Sequence, residues 1–441
     1  MPTSITASEF SSRRRRLMDA MPVNSVAIIA SAPECLRNGD ADYAYRQNSD
    51  LYYLSGFEEP EALLVIIPGR AEGEFVMFCR QRDITKELWN GRRQGQEGAI
   101  AHYCADQAFA IEDADSKLPE LLENKHSMCF PLGRDQNFDT RAMGWLNTVR
   151  SKARSGVLAP TQLLDVCPLI SELRLIKSPA ERDIMARAGK ISADAHMQAM
   201  KVCRPGMMEY QLEAEFKYAF AKAGSKAPAY NSIVGGGSNA CILHYTENDQ
   251  VLNDGDLVLI DAGCELDYYA ADITRTFPVN GRFSPEQKAI YDVCLKAQLA
   301  AIDSIQAGAR WNDAHEVTVE VITAGLVELG LLTGDVKTLI EAQSYQDFYM
   351  HRAGHWLGLD VHDVGDYRVD GVWRVLEPGM VLTVEPGIYI AVDNMDVEER
   401  WRGIGVRIED DVVVTDTGCE VLTAAVVKNV DDIEAWMSGN R

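Results

Sequence analysis

Val251-Leu252-Asn253-Asp254-Gly255-Asp256-Leu257-Val258-Leu259-Ile260-Asp261-Ala262-Gly263 returns without a gap as Val375-Leu376-Glu377-Pro378-Gly379-Met380-Val381-Leu382-Thr383-Val384-Glu385-Pro386-Gly387. Val, Leu, the middle Gly and the last Gly coincide, and the apolar run coincides in kind. Asp261 therefore falls on Glu385. Each acid ends an apolar run of strand character, where a lone carboxylate gives up its hydration for nothing. Two such acids in a duplicated frame point to a cation shared between them.

The frame extends outward from these strands. Ser178-Pro179-Ala180-Glu181 sets Ser at an N-cap, Pro at the first helical position and Glu in a capping box. Ser284-Pro285-Glu286-Gln287 repeats the arrangement. A long amphipathic helix is predicted after each start, then a turn (Arg204-Pro205-Gly206 and Ala307-Gly308), then a second helix over residues 209–223 and 312–329. The following strands also repeat, because the stretch from Asp272 to Gly281 aligns with that from Glu409 to Gly418 and puts Asp272 on Glu409. Any two β-hairpins share some likeness, but helix starts, turns and two acids recurring in one order mark a duplication. Residues 175–441 are expected to form two α-α-β-β halves, with Asp261, Asp272, Glu385 and Glu409 on four strands of one sheet.

A chain of 441 residues is too long for one ordinary core, so a second domain is expected over residues 1–174. Strand-like runs at 25–31, 62–68 and 75–79 alternate there with helical stretches, an α/β pattern. Arg13 to Arg16 follow a capping box, Thr6-Ala7-Ser8-Glu9, and read as the basic face of a first helix. Asp19, Pro22 and Asn24 break the region after them, which argues against a secretory or twin-arginine signal. No apolar run approaches the roughly 20 residues of a membrane span. Ten cysteines form no CxxC pair, and Cys79, Cys203, Cys264 and Cys294 lie in apolar or helical contexts. That usage fits reduced thiols and a cytoplasmic protein. The net charge of −23, from 43 basic and 66 acidic residues, argues against nucleic acid as a partner.

Nitrogen donors come from the run His351-Arg352-Ala353-Gly354-His355-Trp356-Leu357-Gly358-Leu359-Asp360-Val361-His362-Asp363, which holds three of the eight histidines. Four acids in or beside apolar strands repel one another unless cations intervene. An oxygen-rich set with imidazole suits two divalent ions, Mn²⁺ first, with Co²⁺ or Zn²⁺ as alternatives. Two ions ~3.5–4 Å apart can share a bridging hydroxide and polarise a carbonyl, the equipment of a hydrolase. Other signals are set aside. Gly235-Gly236-Gly237-Ser238-Asn239-Ala240 loosely matches a dinucleotide loop, but Cys241 to Tyr245 reads as a strand instead of the helix such a loop needs. His315-Glu316 lacks the second histidine of a zincin helix, and no GxSxG elbow is present.

The Asp-Asp-His-Glu-Glu set, the run His355-Trp-Leu-Gly-Leu-Asp-Val-His-Asp-Val-Gly365 and Thr383-Val-Glu-Pro-Gly-Ile-Tyr389 resemble the pita-bread metallopeptidases, most of all the bacterial aminopeptidase P (Xaa-Pro aminopeptidase) branch. The resemblance covers nearly the whole chain, since Tyr45 to Phe57 resembles that branch's N-terminal, creatinase-like domain. It implies a creatinase-like α/β domain over 1–174, serving substrate access and oligomerisation, followed by a pita-bread catalytic domain over 175–441. It implies Asp261 and Asp272 on one metal and Asp272, His355, Glu385 and Glu409 on the other, with Asp272 and Glu409 bridging. Glu385 would take the proton of the bridging water and pass it to the leaving proline nitrogen. His362 would stabilise the oxyanion, and His244 and His351 would position substrate. Arg407 and Tyr389 would hold the ligands from behind, a role metal sites require. Tyr230 resembles a substrate-pocket tyrosine. Trp89 resembles an aromatic reaching the active site of a neighbouring subunit; read without the family it is a half-buried core side chain. Arg352 departs from the family, which commonly has Gly there, and so alters one wall of the pocket as a substrate-binding residue.

The implied activity is hydrolysis of the N-terminal Xaa-Pro bond of peptides by a homo-oligomer, dimer or tetramer, without membrane or nucleic acid. That bond is a tertiary amide with no N–H, which favours direct attack on the carbonyl. The alternative is a prolidase confined to Xaa-Pro dipeptides. A further class, pita-bread proteins that have lost their metals, is disfavoured because all five ligand positions are intact.

Overall fold

Ser178 and Ser284 build the predicted capping boxes in three dimensions. The Ser178 hydroxyl accepts from the Glu181 amide at 3.4 Å, and Glu181 accepts from the Ser178 amide at 2.9 Å. Gln287 and Ser284 exchange the same bonds at 3.2 and 2.9 Å. The helices that follow, Pro179–Val202 and Pro285–Ser304, are joined by turns to Glu209–Ala223 and Asp313–Glu328. Gly206 and Gly308 hold φ of +87° and +91° in those turns, conformations that a side chain would strain. The structure, a computed structural model, describes residues 5–439. The chain divides into two units, Met1–Arg174 and Leu175–Arg441. No helix among the described residues is long and apolar enough to cross a membrane.

In the second unit the helices bury one face against curved hairpins. Leu212, Phe216, Ile290, Tyr291, Ile322 and Leu326 share a core with Val258, Ile260, Phe277, Ile388 and Val406. Each such side chain contributes about 1.5–3 kcal/mol by leaving water. The first hairpin pairs Leu257–Asp261 with Thr274–Pro278, Asp261 lying opposite Thr274. The second pairs Val381–Val384 with Asp410–Thr415, Val384 lying opposite Asp410.

Two expectations are corrected here. The four acids do not lie on four strands of one unbroken sheet: the strands fall into separate two- and three-stranded ladders. Asp261 closes a strand, whereas Asp272, Glu385 and Glu409 lie just outside the named strands. Side chains on one face of a flat ladder stand side by side, so convergence on one point requires the ladder to break there. The hairpins are joined across that break where the Glu409 amide donates to the Thr274 carbonyl at 3.1 Å. The segment from Cys241 to Tyr245, expected as a strand, instead ends the short 3₁₀ helix Gly237–Cys241 and continues as a turn.

The first unit is a six-stranded mixed sheet with spatial order 107–110, 75–79, 63–66, 25–30, 127–130, 162–165, flanked by helices. Thr6 caps its first helix, Ala7–Ala20, and the arginine run divides: Arg15 and Arg16 are exposed as a basic face would be, whereas the first two are not. Arg13 and Arg14 are buried and donate to the carbonyls of Tyr53 and Leu54 at 3.2 and 2.8 Å. Those carbonyls close helix Ser49–Ser55 and need donors, and Arg14 also lies 4.0 Å from the Phe75 ring centroid.

Candidate metal centre

The strand ends of the two hairpins and the loop at 351–362 line one cavity of about 760 Å³. Asp261, Asp272, His355, Glu385 and Glu409 all line it, with Tyr230, His244, His351, Arg352, His362 and Arg407. Asp272, His355 and Glu409 each offer a ligand atom within 4.8 Å of the others. His355 Nε2 stands 3.4 Å from Asp272 Oδ2 and 3.6 Å from Glu385 Oε1. Its Nδ1 lies 2.9 Å from the Trp356 carbonyl, which can only accept. Nδ1 therefore carries a proton, and Nε2 faces the acids in the orientation a ligand nitrogen needs.

Whether these residues fit a metal can be asked of Tyr230. Its hydroxyl has one proton, yet Oη stands 2.5 Å from Oδ1 of both Asp261 and Asp272. Two carboxylates converging on one donor need a further positive charge between them, either a proton or a metal ion. The titration of the group points the same way. Burial, with the Asp272 charge adding and Arg407 opposing, pushes Asp261 up to about 6. Burial pushes Glu385 up to about 7 against the charges of His355 and Arg407. Glu409 is raised well above the carboxylate range by burial and by Asp272. Asp272 goes the other way, since its bonds to His355 and Tyr230 outweigh burial. Burial opposes the charge on His355, but the Asp272 bond and the Glu385 charge outweigh it and raise the imidazole to about 9. Bound protons thus occupy a cage that divalent cations would fill, and the mixed oxygen and imidazole donors suit them.

The supporting residues are equally specific. Arg407 donates to Asp261 Oδ2 at 2.6 Å, to Thr274 Oγ1 at 3.1 Å and to Tyr389 Oη at 3.1 Å. His351 Nδ1 donates to the Arg352 carbonyl at 2.8 Å, so its Nε2 accepts from Tyr389 Oη at 2.9 Å. Burial and the nearby Arg407 charge lower His351 to about 4, which keeps it neutral. The His362 ring lies 4.3 Å from that of His355, edge to face. His244 is exposed on the rim. Arg352 donates to Asn312 Oδ1. Trp89 lies in the first unit, on helix Ile84–Asn90, and is 85% exposed, which overturns its reading as a half-buried core side chain.

Several site residues were not singled out in the sequence. Thr274 donates to Glu409 Oε2 at 2.7 Å, and Thr383 lies 3.4 Å from Glu385 Oε1. Each lies in a strand two positions from an acid just beyond its end, so period-2 alternation was a usable signal. Asp411 accepts the Asp272 amide at 3.0 Å from a fully buried position. Trp311, Tyr367 and Trp373 line the same cavity, yet they come from a helix approach, a loop and the short strand Val372–Trp373, whose sequence carries no pointer to the acids.

Comparison with known proteins gives one answer. The model of "Metallopeptidase family M24" matches residues 183–416, and "Aminopeptidase P, N-terminal domain" matches residues 10–130. The Xaa-Pro aminopeptidase of Escherichia coli is 47% identical over 440 residues, covering 100% of this chain and 99% of that protein. The structure of Pseudomonas aeruginosa aminopeptidase PepP superimposes with a TM-score of 0.99 at 59% identity, over 100% of this chain and 99% of that one. A zinc-substituted E. coli aminopeptidase P in complex with product gives 0.96 at 47% identity, over 99% of each chain. With its acids, histidine and tyrosine gathered as described, the chain belongs to metallopeptidase family M24, as an aminopeptidase P of the pita-bread type.

Proposed function

We propose that this chain is a metal-dependent aminopeptidase that removes the N-terminal residue from peptides with proline at the second position. The convergence of Asp272, His355 and Glu409 on one point, with Asp261 and Glu385 in the same cavity, carries the reading. Full-length identity to proteins named Xaa-Pro aminopeptidase supports the substrate class.

Asp261 and Asp272 would hold one divalent ion, and Asp272, His355, Glu385 and Glu409 the other. When bound, the ions supply Lewis acidity, polarising the scissile carbonyl and lowering the pKa of water. Mn²⁺ suits the oxygen-rich set best, with Co²⁺ or Zn²⁺ as alternatives. Glu385, with its carboxyl in the cavity, accepts the proton of the attacking water and returns it to the proline nitrogen. His362 donates to the developing oxyanion from beside His355. Neutral His351, its tautomer fixed by the Arg352 carbonyl, and His244 on the rim orient the peptide. Tyr230 and Arg407 hold Asp261, and Tyr389 joins Arg407 to His351.

The first unit serves substrate access and assembly. The exposure of Ile84, Leu88 and Trp89 on one short helix supports a homo-oligomer, dimer or tetramer, in which Trp89 meets a neighbouring subunit. A cytoplasmic location fits ten free cysteines. The deciding assay compares a Gly-Pro dipeptide with longer Xaa-Pro peptides after metals are stripped and added back singly. Turnover of the longer peptides with one added metal is expected; turnover of the dipeptide alone would reject the aminopeptidase in favour of a prolidase.

A further inference from the structure

The catalytic cavity is lined by the acid cluster and two arginines: Arg407, bonded to Asp261, and Arg352, with Trp311, Tyr367 and Trp373 in the same lining. Arg352 is exposed and held in place: it donates to Asn312 Oδ1, and its guanidinium carbon lies 5.1 Å from the Trp373 ring centroid. A second guanidinium, Arg368, lies 4.0 Å from the same centroid. No carboxylate lies within ion-pair distance of either among the described residues, in a chain with 66 acidic side chains against 43 basic ones. An arginine fixed by a neutral amide and an indole, with donors left over and no counter-ion, is organised to receive an anion from outside.

Orientation follows from the proposed reaction: with the scissile carbonyl held at the acid cluster, the residues beyond proline extend along the same cavity, whose lining includes Arg352. We propose that Arg352 is a specificity residue that binds a carboxylate of the substrate downstream of proline, either the C-terminus of a short peptide or an acidic side chain. The proposal rests on the Xaa-Pro aminopeptidase reading and narrows its substrates. A single charge-assisted contact at a partly exposed site is expected to favour the acid over its neutral analogue about tenfold in kcat/KM.

The test uses the metal-loaded full chain and two peptide pairs. Gly-Pro-Gly with a free terminus is compared with its C-terminal amide, and Gly-Pro-Glu-Gly-Gly amide with Gly-Pro-Gln-Gly-Gly amide. The first pair reads the terminus and the second the side chain. In at least one pair the acid-to-neutral ratio should be about ten, carried mainly by KM, should fall near one in Arg352→Gln and should recover in part in Arg352→Lys. Metal content and melting temperature of each variant are recorded alongside, so that misfolding is not read as lost recognition. Ratios near one in both pairs for the unmodified enzyme, or a ratio that survives Arg352→Gln, would overturn the proposal. Failure to cleave any of the four peptides would instead reject the aminopeptidase reading beneath it.

Discussion

In the first hairpin of the second unit Asp261 faces Thr274 across the ladder. In the second, Val384 faces Asp410 and the Ile408 amide donates to the Pro386 carbonyl, so Glu385 faces Glu409. The two ladders start from the same frame and differ in register by two residues. Matched by sequence, Asp272 corresponds to Glu409; matched by pairing, Thr274 takes that place. The acids of the first hairpin are therefore diagonal to one another and those of the second directly opposed. Thr274, standing where the repeat would demand an acid, donates to Glu409 instead. Duplication supplied similar strands, and the slip in register turned a symmetric frame into a centre with unequal sides.

Replacing the proposed base, Glu385, is the strongest way to break this comparison. Glu385→Ala should lower kcat by at least about 10³-fold, whereas Glu377→Ala, exposed before the same strand, should leave it near normal. Equal losses in steady-state assays would mean that the duplicated frame does not single out Glu385.

Removing the metals probes both hairpins together. Carboxylates titrate near 4 in an unfolded chain, while Asp261 and Glu385 titrate at about 6 and about 7 in the metal-free fold. The folded state then binds more protons than the unfolded one, so stability falls as pH rises from roughly 4 to 7. Glu409 and Asp411, also raised, act in the same direction, and His355 at about 9 extends the loss above pH 6.5. Asp272, lowered, adds stability that disappears only as pH falls through the acid range. Calorimetry at pH 5 and pH 8 should show the gap between metal-loaded and stripped protein widening by a few kcal/mol, on the order expected for such shifts. Parallel melting curves would count against the cage.

The register slip is sharpened by Thr274→Val, which should weaken metal binding about 10–100-fold in a chelator competition. Thr383→Val, with the longer contact to Glu385, should cost less; equal effects would leave the slip without consequence. The smallest effects belong to the repeated helix starts. Ser178→Ala and Ser284→Ala should each cost about 1 kcal/mol in urea unfolding, because both remove the same capping bond. A clear inequality would show that the halves have diverged here as well.

Much of the second unit was legible from residues alone. The capping boxes, turns and paired helices emerged close to the predicted places because capping and amphipathic periodicity act within a few residues. Asp261 and Glu385 were visible because acids ending apolar runs are costly enough to demand a reason, the repeat added Asp272 and Glu409, and the resemblance added His355 to the proposed ligand set. The burial of Arg13 and Arg14 was not legible, since their partners lie forty residues away. Nor was the path from Cys241 to Tyr245, where an apolar stretch of strand character was overruled by its surroundings. Trp373 and Asn312, which hold Arg352, carry no local sign of that task.

The sequence by itself determined which residues could bind cations and that they came in two related sets, because both facts are written in residue type and order. Only the tertiary structure decided how they converge. Arg407 reaches Asp261 across 146 positions, and Thr274 reaches Glu409 across 135. Register and breaks in a ladder are settled by packing of the whole hairpin against its helices, and no short window of sequence contains that balance.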